Sequence, residues 1–213
     1  MLSPAESGCL RVFCFFRSPN LTVERVNLED LEMLKVLGVG AFGRVRLVKM
    51  KQPVPEVDGE YFALKCISKK SLKENGLDTH IQNEKAIMAT LEHPFINRFY
   101  CDMEDDGFLY FLLEALPGGE LCKRLREERK FPEPWGMFYS ASVLFAFCHM
   151  HAKKIAYRDL KPENLVMDAE GYVKVVDFGL AKVRAGYAAP RLSQNLLRTL
   201  NLICTASTLL LRS

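Results

Sequence analysis

Gly38-Val39-Gly40-Ala41-Phe42-Gly43 opens a series of residues whose types and order suit the transfer of a phosphoryl group. Glycines at this spacing let backbone N–H groups approach phosphate oxygens, because no Cβ stands in the way. Lys65, in Phe62-Ala63-Leu64-Lys65, brings a point charge suited to the α- and β-phosphates of a nucleotide, and Glu84 is an anion able to hold it. Asp159, in Tyr157-Arg158-Asp159, would orient an attacking hydroxyl and take its proton, and Lys161 would steady the group in transit. Asn164 and the Asp177 of Asp177-Phe178-Gly179 present the hard oxygens that Mg²⁺ prefers. Each feature has a plainer reading alone: a glycine-rich hairpin, two surface charges, a strand ending in a tight turn. Their occurrence in one order carries the weight.

The elements that must position these groups follow from periodicity. A GxGxxG motif also marks dinucleotide folds, but there the third glycine opens a helix. Here Gly43 precedes Arg44 to Lys49, where Val45 and Leu47 alternate with Arg44 and Arg46 as in a half-buried strand. The glycines therefore belong to a turn between two strands. Leu34, Val36 and Leu37 lead into them, and Asp58-Gly59 is a hairpin turn signal before a strand over Tyr61 to Ile67. Residues 78–91 read as a helix with Ile81, Ala86, Ile87, Met88 and Leu91 apolar and Glu84 among them. Leu109 to Leu116, with Glu114 inside it, is short enough for a buried strand. Leu121 to Lys130 reads as a charged helix. Pro134 then opens a long helix in which Met137, Ala141, Leu144, Phe145 and Cys148 share one face. Two short strands flank a turn at Asp168 to Gly171. Strands with one main helix, followed by helices, imply an α+β fold with a sheet-rich lobe and then a helical lobe.

Composition narrows the classes. The 213 residues are 49% apolar with net charge +3, enough for a good core and too little clustered Lys/Arg to suggest nucleic acid. Seven cysteines without CxxC or Cys/His spacing read as reduced thiols in a cytoplasmic protein, with no thiol-based metal site. The Val12 to Phe16 patch follows Glu6 and is too short for a signal peptide, and no run approaches the ~20 apolar residues of a membrane span. Residues 1–27 lack periodicity and read as a leader or linker.

On these motifs, residues 28–183 resemble the catalytic domain of AGC-type serine/threonine protein kinases, and the cyclic-nucleotide-dependent group in particular. Tyr157 in place of histidine, Lys161 two residues after Asp159, and Glu114-Ala115 with Gly118-Gly119-Glu120-Leu121 are similar to that group. The resemblance implies a two-lobed fold: a sheet lobe over about 28–113, a hinge at 114–116 and part of a helical lobe over 117–183. It implies ATP and Mg²⁺ as cofactors, and a protein or peptide serine or threonine as the acceptor. Lys65, Glu84, Asp159 and Lys161 would be catalytic, and Asn164 and Asp177 metal ligands. Leu37, Val45, Ala63, Leu113, Glu114, Leu116 and Val166 would line the adenine pocket, with Leu113 as gatekeeper, beside the glycine loop. Met88, Phe99, Tyr157 and Phe178 would stack as a spine. Glu120 and Glu163 match positions that favour basic residues ahead of the acceptor.

The pattern breaks after Lys182-Val183. Arg184 to Ser213 contains no Asp or Glu, against 26 in the whole chain, and Ala189-Pro190-Arg191 only echoes an Ala-Pro-Glu. The expectation is a kinase domain truncated within its activation segment and followed by a divergent tail. Leu196, Leu197, Leu200, Ile203 and Leu210 in that tail stand near helical spacing. Impaired turnover follows as an expectation, and a non-catalytic nucleotide-binding or regulatory module is the rival from another class.

Overall fold

The computed structural model describes residues 26–40, 43–54 and 59–183. Ala41, Phe42, Asp58, residues 1–25 of the expected leader and the tail from Arg184 lie outside the described residues. The chain divides into two units.

The first, over described residues 26–92 and 97–115, is built on a five-stranded sheet. Its strands are β1 (Leu31–Gly40), β2 (Gly43–Met50), β3 (Tyr61–Ser68), β4 (Phe99–Glu104) and β5 (Phe108–Glu114). They lie in the order β1-β2-β3-β5-β4, and every pairing is antiparallel. Period-two alternation explains its two faces. Phe62, Leu64 and Cys66 point to one side, where they join Val26, Leu31, Val48, Met50, Tyr100 and Leu112 in the core. Val26, which the sequence reading left in the leader, is therefore a core residue. Two helices belong to this unit, α1 (Lys69–Glu74) and α2 (Asp78–Thr90). The Ser68 side chain caps α1 by accepting a hydrogen bond from Ser71 N at 3.3 Å. In α2, Ile81, Glu84, Ile87 and Met88 are buried and Ala86 is exposed, so a glutamate lies on the inward face.

The second unit covers described residues 93–96 and 116–183. It contains α3 (Leu121–Glu128), α4 (Glu133–Ala152) and five short strands: β6 (Gly119–Glu120), β7 (Ile155–Ala156), β8 (Leu165–Met167), β9 (Val173–Val175) and β10 (Lys182–Val183). β6, β8 and β9 form one small sheet, and β7 pairs with β10. The β8–β9 turn is tied by the Asp168 carboxylate, which accepts from Glu170 N at 3.1 Å and Tyr172 N at 2.8 Å, while Gly171 takes a φ of 90°. His93–Ile96 sits within the sheet unit's span of sequence yet clusters here. Val175 N donates to Phe95 O at 2.9 Å, and the His93 and His149 rings lie 5.1 Å apart.

Helix α4 corrects the periodicity argument. Its buried face is Gly136, Tyr139, Ser142, Val143, Ala146, Phe147 and Met150. The stripe singled out from the sequence faces outward: Met137 is 58% exposed, Phe145 56% and Leu144 40%, with Ala141 and Cys148 exposed beside them. The helix is apolar on both sides, so periodicity found a genuine stripe on the side away from the core.

Candidate active site

Strand register brings one group of residues together on the sheet unit. Val45 stands opposite Lys65 and Lys65 opposite Phe111, while Leu47, Ala63 and Leu113 form the next row but one. Residues directly opposite in an antiparallel ladder share a face. Val45, Ala63, Lys65 and Leu113 therefore lie on the face turned away from the Phe62-Leu64-Cys66 core, and Gly38 is paired with Val45 at its margin.

Lys65 Nζ donates to Glu84 Oε1 at 2.6 Å. The Glu84 side chain is 5% exposed and that of Lys65 27%, so the carboxylate is the deeper partner. An isolated buried carboxylate would be costly, and this contact holds the lysine where the helix sets it.

The glycines separate into two kinds. A Cβ built on Gly43 would fall 1.8 Å from the Cys66 carbonyl oxygen, so this glycine is required for β2 to approach β3. Gly38 and Gly40 have nothing within 4 Å of such an atom, leaving the backbone there open to a ligand. Leu37 and Val39 are exposed, Val39 at 82%. At the end of β5, Glu114 N donates to Arg98 O at 2.9 Å, and the Glu114 carboxylate accepts from Arg98 N at 3.3 Å.

A second group assembles on the helical unit. Asp159 Oδ2 accepts from Lys161 Nζ at 2.8 Å and from Asn164 Nδ2 at 2.9 Å, and Asn164 Nδ2 also reaches Asp159 O at 3.0 Å. Asn164 is 6% exposed. The hydrogen bond to Asp159 is the main reason that the Lys161 ammonium is held above the ordinary lysine value of 10.5.

Asp177 is carried beside this loop by backbone bonds to its neighbour. Val176 N donates to Asn164 O at 3.0 Å, and the Tyr157 hydroxyl donates to Val176 O. Tyr157 and Phe178, both 1% exposed, meet edge to face at 5.4 Å. Sequence reasoning placed Tyr157 among stacking residues and missed its hydroxyl as the tie to Val176. The signal lay in the choice of tyrosine over a ring without that donor.

Arg158 (φ 66°) and Asp177 (φ 59°) occupy the left-handed region, which costs a non-glycine residue roughly 1–2 kcal/mol. Arg158 Nε donates to Leu180 O at 2.8 Å, and the Asp177 carboxylate accepts from Gly179 N at 3.3 Å. Strain of this kind persists where the surroundings over-determine it, and it clusters at functional sites.

Glu120 stands opposite Val166 in the β6–β8 pairing. Glu120 and Glu163 are exposed, and Leu116 and Val166 half-buried. Among the described residues no three His, Cys, Asp or Glu side chains converge as a self-contained metal cage.

Comparison with known proteins agrees with this geometry. A family model described as the protein kinase domain matches residues 31–196. Human cGMP-dependent protein kinase 2 is 47% identical over 154 residues, 72% of this chain and 20% of its own length. Protein kinase 3 of Dictyostelium discoideum is 40% identical over 161 residues, covering 76% and 17%. The human cAMP-dependent protein kinase catalytic subunit PRKX is 42% identical over 156 residues, covering 73% and 42%. The chain thus spans about a fifth of the first two relatives and two fifths of the third. With Gly38, Gly40 and Gly43 on two paired antiparallel strands and the domain match covering most of its length, the chain belongs to the protein kinase domain family.

Proposed function

We propose that this domain transfers the γ-phosphoryl group of ATP to a serine or threonine hydroxyl of a protein. The observation that carries the reading is the Asp159 carboxylate held by Lys161 and Asn164, all within 3.0 Å. Asp159 accepts the hydroxyl proton as the hydroxyl oxygen bonds to phosphorus. The bond from phosphorus to the β–γ bridging oxygen breaks, and ADP leaves with that electron pair. Lys161 offsets charge on the group in transit. Lys65, fixed by Glu84, serves the α- and β-phosphates, and the open backbone at Gly38 and Gly40 admits phosphate oxygens. Leu37, Val45, Ala63, Leu113, Glu114, Leu116 and Val166 serve the adenine.

The donor set suits Mg²⁺. An amide and a carboxylate, Asn164 and Asp177, supply few oxygens, and this ion commonly completes its shell with phosphate and water. When bound, it neutralises charge on the phosphates. Exposed Glu120 and Glu163 would pair with basic residues ahead of the acceptor serine or threonine.

The experiment is labelled-phosphate transfer from Mg-ATP to an arginine-rich serine peptide, with Asp159→Ala as the blank. Transfer that the blank abolishes supports the reading. Mg-ATP binding with no transfer above the blank would favour the non-catalytic module.

A further inference from the structure

We propose that Lys85 and Asp102 form a positioning pair that fixes how α2 seats on the sheet, and so keeps Glu84 where it can aim Lys65 at the phosphates. This role rests on the nucleotide reading given above. Lys85 Nζ lies 2.6 Å from Asp102 Oδ2. Lys85 follows Glu84 directly on α2, and Asp102 belongs to β4.

Register places the two sheet partners in one row. Lys65 and Asp102 each stand opposite Phe111 of β5, so the three share a face, with the two charged residues two strands apart, roughly 10 Å. Phe111 between them is fully buried. Helix α2 thus meets this row through consecutive residues, Glu84 toward β3 and Lys85 toward β4.

Apolar packing alone does not set that meeting. Ile81, Ile87 and Met88 are buried on α2, but apolar burial is non-directional and tolerates a roll of the helix. Neighbouring helical positions stand 100° apart, so a single tether at Glu84 leaves α2 free to pivot about it. A second tether on the next residue, anchored across the sheet, removes that freedom. The signs also exclude the wrong seats. One step in one direction brings Lys85 to Lys65, and one step in the other brings Glu84 to Asp102. Both are like-charge meetings, which discriminate against a wrong alignment.

Stability is not the role that this pair suits. The Lys85 and Asp102 side chains are 36% and 30% exposed, and ion pairs that water reaches contribute little to folding. Their effect falls on direction, because a catalytic group displaced slightly loses function while the fold persists.

The test separates phosphate recognition from folding. Isothermal titration calorimetry on the full 213-residue chain gives Kd for Mg-ATP and for adenosine, which lacks the phosphates that Lys65 serves. D102N and K85M are expected to weaken Mg-ATP binding roughly tenfold, an ordinary coupling between contacting residues, and to leave adenosine within about twofold. K85R still offers a cation to the Asp102 carboxylate and should keep the parent's value for both ligands. In K65M/E84L, where no lysine remains to be aimed, adding D102N should change neither. Unchanged Mg-ATP affinity in D102N and K85M overturns the proposal. Equal loss for Mg-ATP and adenosine also overturns it, since that marks a pair serving the fold alone. If D102N does not fold, K85M against K85R decides by the same criteria. Should K65M/E84L bind Mg-ATP as tightly as the parent, the phosphate role of Lys65 fails and the positioning role fails with it. Loss in K65M/E84L without loss in D102N or K85M overturns the positioning role alone.

Discussion

Lys65 and Glu84 are unequal partners, and the inequality makes the role of each testable. Glu84 is the more deeply buried, so Lys65→Met leaves a carboxylate without its cation where water reaches poorly. That variant is expected to lose about 1–3 kcal/mol of stability and to bind Mg-ATP weakly. Adding Glu84→Leu removes the orphaned charge and should recover stability without recovering nucleotide. Denaturant unfolding measures the first effect. A thermal shift with Mg-ATP measures the second, worth about 2.7 kcal/mol at 100 times Kd for a competent chain. A double variant that binds Mg-ATP normally would refute the phosphate role of Lys65. The glycines make a second residue-scale case. Gly43→Ala must force β2 from the Cys66 carbonyl and should cost more than about 2 kcal/mol. Gly38→Ala and Gly40→Ala meet no atom, so they should melt within a few degrees of the parent, about 1 kcal/mol, and lose nucleotide affinity instead. Melting curves of the three variants settle it, and a Gly43→Ala protein as stable as its parent would contradict the packing argument. The motif named all three glycines together. Only the register of β2 against β3 separates the structural one.

At the scale of elements, what was legible depended on whether a pattern has one reading. Alternation of Val45 and Leu47 with Arg44 and Arg46 marks β2 as a strand, although these two apolar residues face away from the core that Val48 and Met50 join, and the order of glycines, β2 and β3 excluded a dinucleotide fold. Strand β4 had no such signal: Phe99-Tyr100-Cys101-Asp102-Met103-Glu104 is irregularly apolar and pairs across a register shift. In α4 both faces are apolar, so periodicity could identify a helix but not its inward side. His93–Ile96 was illegible for another reason. Its attachment rests on a bridge from Ile96 to Val175 and on a ring contact with His149, both far along the chain. That attachment predicts a pH dependence. Burial first, then the His149 and Lys174 charges, lowers the His93 pKa from 6.5 to about 4, and its Nδ1 accepts from Phe95 N at 3.2 Å. A depressed folded value means that the unfolded chain binds the proton more readily. Stability from this site is therefore full above pH 6.5 and is lost as pH falls from there toward about 4. His93→Gln should flatten the melting temperature across that window. An unchanged slope in the variant would remove His93 as the cause.

For the whole molecule, the question is whether the groups proposed as catalytic suffice for turnover. Phosphoryl transfer asks a protein mainly for positioning and electrostatic stabilisation, and residues up to Asp177 offer groups for both. The acceptor serine must also be held in line, and a misplacement of about 1 Å costs on the order of 10²-fold in rate. In the kinase pattern that task falls to the sequence following Asp177-Phe178-Gly179. Here Arg184 to Ser213 carries no Asp or Glu, unlike the rest of the chain, and Arg191 stands where a glutamate is expected after Ala189-Pro190. Nucleotide binding and peptide transfer should therefore part company in this chain. We expect a measurable Mg-ATP shift, peptide phosphorylation far below that of cyclic-nucleotide-dependent relatives, and recovery when residues 184–213 are replaced by the corresponding residues of such a relative. Parallel measurement of thermal shift and labelled-phosphate transfer, on both chains and on their Asp159→Ala forms, separates the two steps. Robust transfer by the 213-residue chain, absent from its Asp159→Ala form, would mean that residues 184–213 hold a peptide in line by chemistry unlike the family's usual segment.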